Sequence, residues 1–115
     1  KILRRVRDYA QVHNNNVADT PLVEIALQFL ALDDDGLTKV DNMLLHKIIE
    51  HFNGGPVGLE TLASLIGEDA DTIETVYEPY LLQQGYLERT PRGRQIPSKK
   101  LAMLHKKYNG QNSIF

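Results

Sequence analysis

The chain has 115 residues, 42% of them apolar, enough for one compact domain or for a small domain with part of a neighbour. It has no cysteine, which excludes a disulfide framework, a thiolate metal site and a cysteine nucleophile. No apolar run approaches the ~20 residues of a membrane span, and no signal peptide is expected. The formal net charge of −2 conceals a segregation. All the acidic residues lie between Asp8 and Glu88, where the basic residues are Lys39 and Lys47 alone. Lys1, Arg4, Arg5 and Arg7 precede that stretch; Arg89, Arg92, Arg94, Lys99, Lys100, Lys106 and Lys107 follow it. Such asymmetry points to a polyanion as partner of the basic part.

Residues 1–12 place Ile2, Val6, Tyr9 and Ala10 at helical spacing, before a polar break at 13–16. The chain opens inside this pattern without an initiator methionine, so it is expected to be part of something longer. A second helix is predicted over 21–32, with Thr20 as N-cap and Pro21 in the first turn. Its apolar residues nearly encircle it, so most of it should be covered. Two helices make too small a core, and residues 1–33 read as the end of a helical domain. Asp33-Asp34-Asp35-Gly36 reads as a solvated linker. It is not a calcium loop: counted from Asp33, the fifth position is Leu37 and the sixth Thr38, where an EF-hand needs an oxygen ligand and a glycine.

A third helix, 40–52, puts Leu44, Leu45, Ile48, Ile49 and Phe52 on one side and ends at Gly54-Gly55. The run Gly54-Gly55-Pro56-Val57-Gly58 lacks the lysine and hydroxyl of a phosphate loop and reads as a turn into a very short extended segment. A short helix over 59–66 stops at Gly67. The next helix, 71–84, has Asp71 as N-cap with Glu74 three residues on. Its apolar face carries Ile73, Val76, Tyr77, Tyr80 and Leu81, and Pro79 should kink it. A strand over 86–90, a turn over 91–93 and a return strand over 94–96 form a hairpin. A last helix, 98–108, buries Leu101, Leu104 and Tyr108 and carries Lys99, Lys100, Lys106 and Lys107 in another sector, as a solvated face with a supporting role towards phosphate.

This order is that of a winged helix-turn-helix: mainly α, with a small β-hairpin wing. An ordinary winged-helix reader sends basic and amide side chains of its second helix into the major groove. Here that face is expected to carry Asp71, Glu74, Thr75 and Glu78, and no lysine or arginine occurs between Leu59 and Glu88. The wing is the opposite case, because Arg89, Arg92 and Arg94 fall within six residues. Guanidinium groups on a hairpin can pair with phosphate oxygens and position a protein on DNA without reading its sequence. The competing reading of the wing is a solvated basic hairpin; that of the acidic helix is either plain surface charge or a protein-facing surface. Core packing is expected for Tyr77, Tyr80 and Tyr86. His13, His46, His51 and His105 lack metal-ligand spacing, and no catalytic pairing is expected.

The stretches GGPVGLETLASLIGEDADTIETVYEPYLLQQGYLERTPRGR (54–94), RRVRDYAQV (4–12) and LLHKIIEHFNGGPVGL (44–59) closely resemble the C-terminal part of the RuvB family of bacterial Holliday-junction branch-migration motors. The resemblance covers almost the whole chain and is weakest over 13–43 and 108–115. It implies a hexameric AAA+ ATPase that moves DNA through a junction held by RuvA, with RuvC as an indirect partner. Residues 1–33 would then end the small helical lid of the ATPase, and residues 34–115 would form its winged-helix head. ATP and Mg2+ serve the whole motor, whose Walker motifs and Gly-Thr-Pro-Arg sensor lie upstream, so no ATP site is carried over. A cytoplasmic location follows from the same resemblance. The family associates the first and last arginines of RTPRGR with DNA, and these match Arg89 and Arg94. Many relatives also have an arginine three residues after the glycine matching Gly67; here that position is Ala70. The alternative function is a winged-helix DNA-binding or interaction module of a transcription regulator without a motor. A stand-alone enzyme finds no candidate site.

Overall fold

In the computed structural model, which describes residues 20–109, the chain divides into two compact units, Lys1–Val40 and Asp41–Phe115. The helix expected over 1–12 and the break at 13–16 lie outside the described residues. In the first unit, α1 spans Thr20–Gln28, shorter than predicted. Phe29, Leu30 and Ala31 continue it as tighter turns, their amides bonding Ala26, Leu27 and Gln28 three residues back. The expected covering of this helix is not observed: Phe29 is buried, whereas Val23, Leu27 and Leu30 are exposed. Apolar side chains all around a nine-residue helix present more surface than one packed side can take up.

The solvated linker expected at Asp33–Gly36 is instead a closed turn. The Asp33 carboxylate accepts from the amides of Asp35 (2.9 Å) and Leu37 (3.0 Å), and the Asp33 amide bonds the Leu37 carbonyl (2.9 Å). An aspartate that satisfies its own backbone in this way builds a turn, despite the like charges beside it. Leu37 and Thr38 are buried.

The next helix, α2, spans Lys39–Phe52 and crosses from the first unit into the second. In the second unit its buried residues Leu44, Leu45 and Ile48 recur at helical spacing. Past its end, Val57 forms an antiparallel bridge with Arg94, the two residues exchanging backbone hydrogen bonds of 2.9 and 2.7 Å. This is the predicted extended segment. Helix α3, Leu59–Ile66, closes on Gly67, whose left-handed backbone (φ 71°) lets its amide return to the Ala63 carbonyl.

Helix α4 runs over 70–83 in three stretches: α-helical Ala70–Thr72, π-helical Ile73–Tyr77 and α-helical Glu78–Gln83. Its N-cap is Asp69, which accepts from the Thr72 amide at 3.1 Å, and not Asp71 as predicted. An N-cap oxygen must reach the third helical amide, and a helix opening at Ala70 puts Asp69 in that place. The kink expected at Pro79 takes the form of a widened turn ahead of it. The Glu78 amide bonds Ile73, five residues back, and the proline occupies the first turn of a new α-helical stretch, where its missing donor costs little.

Strands β1, Glu88–Thr90, and β2, Gly93–Gln95, pair antiparallel across a two-residue turn, with Arg89 opposite Arg94. Tyr86 and Leu87, read as strand from the sequence, precede β1 as buried residues. Helix α5, Ser98–Asn109, buries Leu104 and Tyr108, and the Tyr108 hydroxyl donates to Asn42 Oδ1 at 2.7 Å. Among the described residues, no helix is long and apolar enough to cross a membrane.

Candidate nucleic-acid interface

The wing is held at both ends of β2. Thr90 Oγ1 donates to the Gly93 carbonyl (2.9 Å) and accepts from the Arg92 amide (3.2 Å), which closes the turn. Gly93 has φ 133°, and a Cβ there would stand 2.5 Å from the Val57 carbonyl oxygen. Gly55 has φ 100°, and a Cβ there would stand 2.7 Å from the Arg94 carbonyl oxygen. Both glycines allow the 54–58 segment to lie against β2. Within it the Gly54 amide bonds Ile48, that of Gly55 bonds Phe52 and that of Val57 bonds Arg94.

Two arginines directly opposite on a hairpin repel each other unless a counter-charge lies between them. Here that charge is Glu78. Arg89 Nε (3.0 Å) and Nη2 both donate to Glu78 Oε1; Arg94 donates through Nε to Oε2 (2.7 Å) and through Nη2 to Oε1 (3.1 Å). The Glu78 side chain is 1% exposed, that of Arg94 16% and that of Arg89 50%. Glu74, 45% exposed, sets Oε2 3.7 Å from Nη2 of each arginine. Two guanidiniums and two carboxylates thus sum to zero charge. The hydrogen bond to Glu78 raises the Arg94 pKa above its ordinary value against the effect of burial, and the charges of Glu78 and then Glu74 add to the rise.

The expectation that Glu78 lies on the exposed face with Asp71, Glu74 and Thr75 is corrected by this geometry. On a regular α-helix, five residues advance by roughly 500°, about 140° away from the starting face. The π turn absorbs one extra residue, so Glu78 comes round towards the side of Ile73 and is buried. Asp71 and Glu74 are exposed, as expected. Thr75 turns its hydroxyl back to the Asp71 carbonyl at 2.8 Å. A signal for Glu78 was present in the sequence: a two-residue turn at Pro91-Arg92 forces Arg89 and Arg94 into register and calls for an acid.

Arg92 is exposed at the wing tip, and among the described residues its side chain has no hydrogen bond or ion pair. The structure thus brings Arg89 and Arg94 together and leaves Arg92 apart, with all three on one hairpin. The four lysines of α5 do not form a uniformly solvated face. Lys99 and Lys106 are exposed, whereas Lys100 Nζ lies 4.5 Å from the centre of the Tyr86 ring and Lys107 Nζ 5.9 Å from that of Tyr108. Tyr77 and Tyr86 are buried and Tyr80 is half-buried. His46 packs edge-on against Tyr108, with ring centres 5.2 Å apart. Among the described residues, no three His, Asp or Glu side chains are grouped to hold a metal ion.

A helix, a bridging segment, two helices and a returning hairpin define a winged-helix domain whose basic groups lie on the wing and not on the second helix of the motif. Residues 34–111 match the family described as the RuvB C-terminal winged helix domain, and the chain belongs to that family. Similar curated proteins include the Holliday junction branch migration complex subunit RuvB of two Clostridium kluyveri strains, each 55% identical over 94 residues. The match covers 82% of this chain and 27% of each relative, so the chain spans about a quarter of their length. Among solved structures, the Thermotoga maritima RuvB Holliday junction branch migration motor is similar at 47% identity with a TM-score of 0.61. That match covers 93% of this chain and 35% of the other.

Proposed function

We propose that residues 34–115 are the DNA-binding head of an ATP-driven, hexameric motor that migrates Holliday junctions, and that residues 1–33 end its helical lid. The similar proteins are named as branch-migration subunits, and the family model begins at residue 34. ATP and Mg2+ would be bound by other parts of such a motor. RuvA would hold the junction, RuvC would act indirectly, and the location would be cytoplasmic, as the resemblance implies.

The observation that carries the reading is the distribution of charge on the wing. Arg89, Arg92 and Arg94 share a hairpin, while α4 offers acids where a base-reading helix needs donors. Contact with duplex DNA then falls on the phosphate backbone: Arg92 reaches from the tip, and Arg89 and Arg94 engage from the strand face. Binding of this kind is weak, indifferent to sequence and sensitive to salt. The test is a salt titration, from about 50 to 200 mM, of binding to two unrelated duplexes. Equal affinities are expected, with a log–log slope between about −1 and −3, the lower limit reflecting neutralisation of two arginines by Glu78 and Glu74. Arg92→Ala should remove about one unit of that slope on both duplexes. A preference for one duplex, or a slope that Arg92→Ala leaves intact, overturns the wing mechanism.

A further inference from the structure

We propose that Glu78 is a positioning residue for DNA binding: from inside the π turn of α4 it fixes the guanidiniums of Arg89 and Arg94 as a pre-set pair that meets phosphate without leaving it. The inference rests on the wing reading above and adds a residue to it. Each guanidinium has five N–H donors in a rigid fork. Both use Nε and Nη2 on the same carboxylate. Among the described residues, Nη1 of each has no hydrogen bond. Two arginines that share one anchor keep their remaining donors in a constant mutual arrangement. Free arginines would each lose rotamer entropy on meeting phosphate, at about 0.5–1.5 kcal/mol per immobilised side chain, a factor of about 2 to 10 in affinity. Here folding has already met most of that cost. The π turn is what makes this possible, since it brings a carboxylate from the helix onto the wing side.

The proposal predicts opposite responses to two identical charge changes. Glu74→Gln removes a negative charge from the rim and should tighten binding. Glu78→Gln also removes a negative charge, yet should weaken binding about threefold to tenfold, because the amide keeps one accepting oxygen where the carboxylate has two and turns an NH2 donor towards the guanidinium that loses its acceptor. Plain electrostatics requires both variants to bind more tightly. Thermal melts establish that each variant is folded at the temperature of the titration. A second measurement uses the unaltered chain: the 15N–1H signals of Arg89 and Arg94 Nε. These should keep their carboxylate-bonded positions when a duplex is added, while the Arg92 signal shifts. Movement of the Arg89 and Arg94 signals to solvent-like positions on binding would show that DNA displaces Glu78 and would sink the proposal. So would a folded Glu78→Gln variant that binds as well as the parent. If Arg92→Ala changes neither affinity nor slope, the fault lies with the wing reading and not with Glu78.

Discussion

At the scale of single residues, the wing turns on one buried carboxylate. Glu78 receives four hydrogen bonds from two arginines, one of them itself largely buried. Removing one partner of a buried ion pair leaves the other charge uncompensated, which costs far more than the pair contributes when intact. Glu78→Ala should therefore lower the unfolding free energy by about 3 kcal/mol in a urea titration. Glu74→Ala, by contrast, removes a half-exposed charge 3.7 Å from its partners and should stay within about 1 kcal/mol of the parent. Equal losses would mean that the cluster is surface charge and nothing more. The raised pKa of Arg94 adds no pH dependence near neutrality. A group whose pKa rises on folding contributes fully below its unfolded value, and loses that contribution only as the pH climbs through the folded one. For an arginine, both limits lie far above neutral pH.

At the scale of elements, glycines decide how closely β2 can be approached. Gly93 and Gly67 both have positive φ, but their surroundings differ. A Cβ at Gly67 meets nothing within 4 Å, so Gly67→Ala costs the left-handed conformation alone, about 1 kcal/mol. A Cβ at Gly93 meets backbone atoms of Val57 at 2.5 and 2.6 Å, which no side-chain rotation relieves. Gly93→Ala should therefore cost more than Gly67→Ala in thermal melts. It should also speed amide exchange at Val57 and Arg94, the residues of the bridge that must open. Selective exchange at those two amides separates this cause from a general loss of stability.

At the scale of the whole molecule, Asn42 and Tyr108, 66 positions apart in sequence, are joined by a buried hydrogen bond of 2.7 Å. It joins α5, the last described helix, to α2, the first helix of the second unit's core. Tyr108→Phe keeps the ring against His46 but leaves Asn42 Oδ1 without its hydroxyl donor, so a loss of about 1–2 kcal/mol is expected in denaturant titrations. DNA binding measured on the folded variant should be unchanged, since the bond lies outside the wing cluster. A fall in affinity at equal folding would assign α5 a direct role on DNA.

Much of this protein was determined by local sequence. Glycines, apolar periodicity and turn residues place α2, α3 and α5 to within a residue or two, because helix ends and tight turns are decided by groups a few bonds apart. The segregation of charge along the chain is likewise a property of the bare sequence. The corrections at Asp33, at Asp69 and above all at Glu78 arise where a local pattern had a second solution that packing or capping preferred. A helical repeat counted at 3.6 residues per turn puts Glu78 in solvent. A single π turn, held between a buried Ile73 and Pro79, puts it beneath the wing. Tertiary structure decided which acid meets the arginine pair: the widened turn brings the Glu78 carboxylate of α4 to both Arg89 and Arg94.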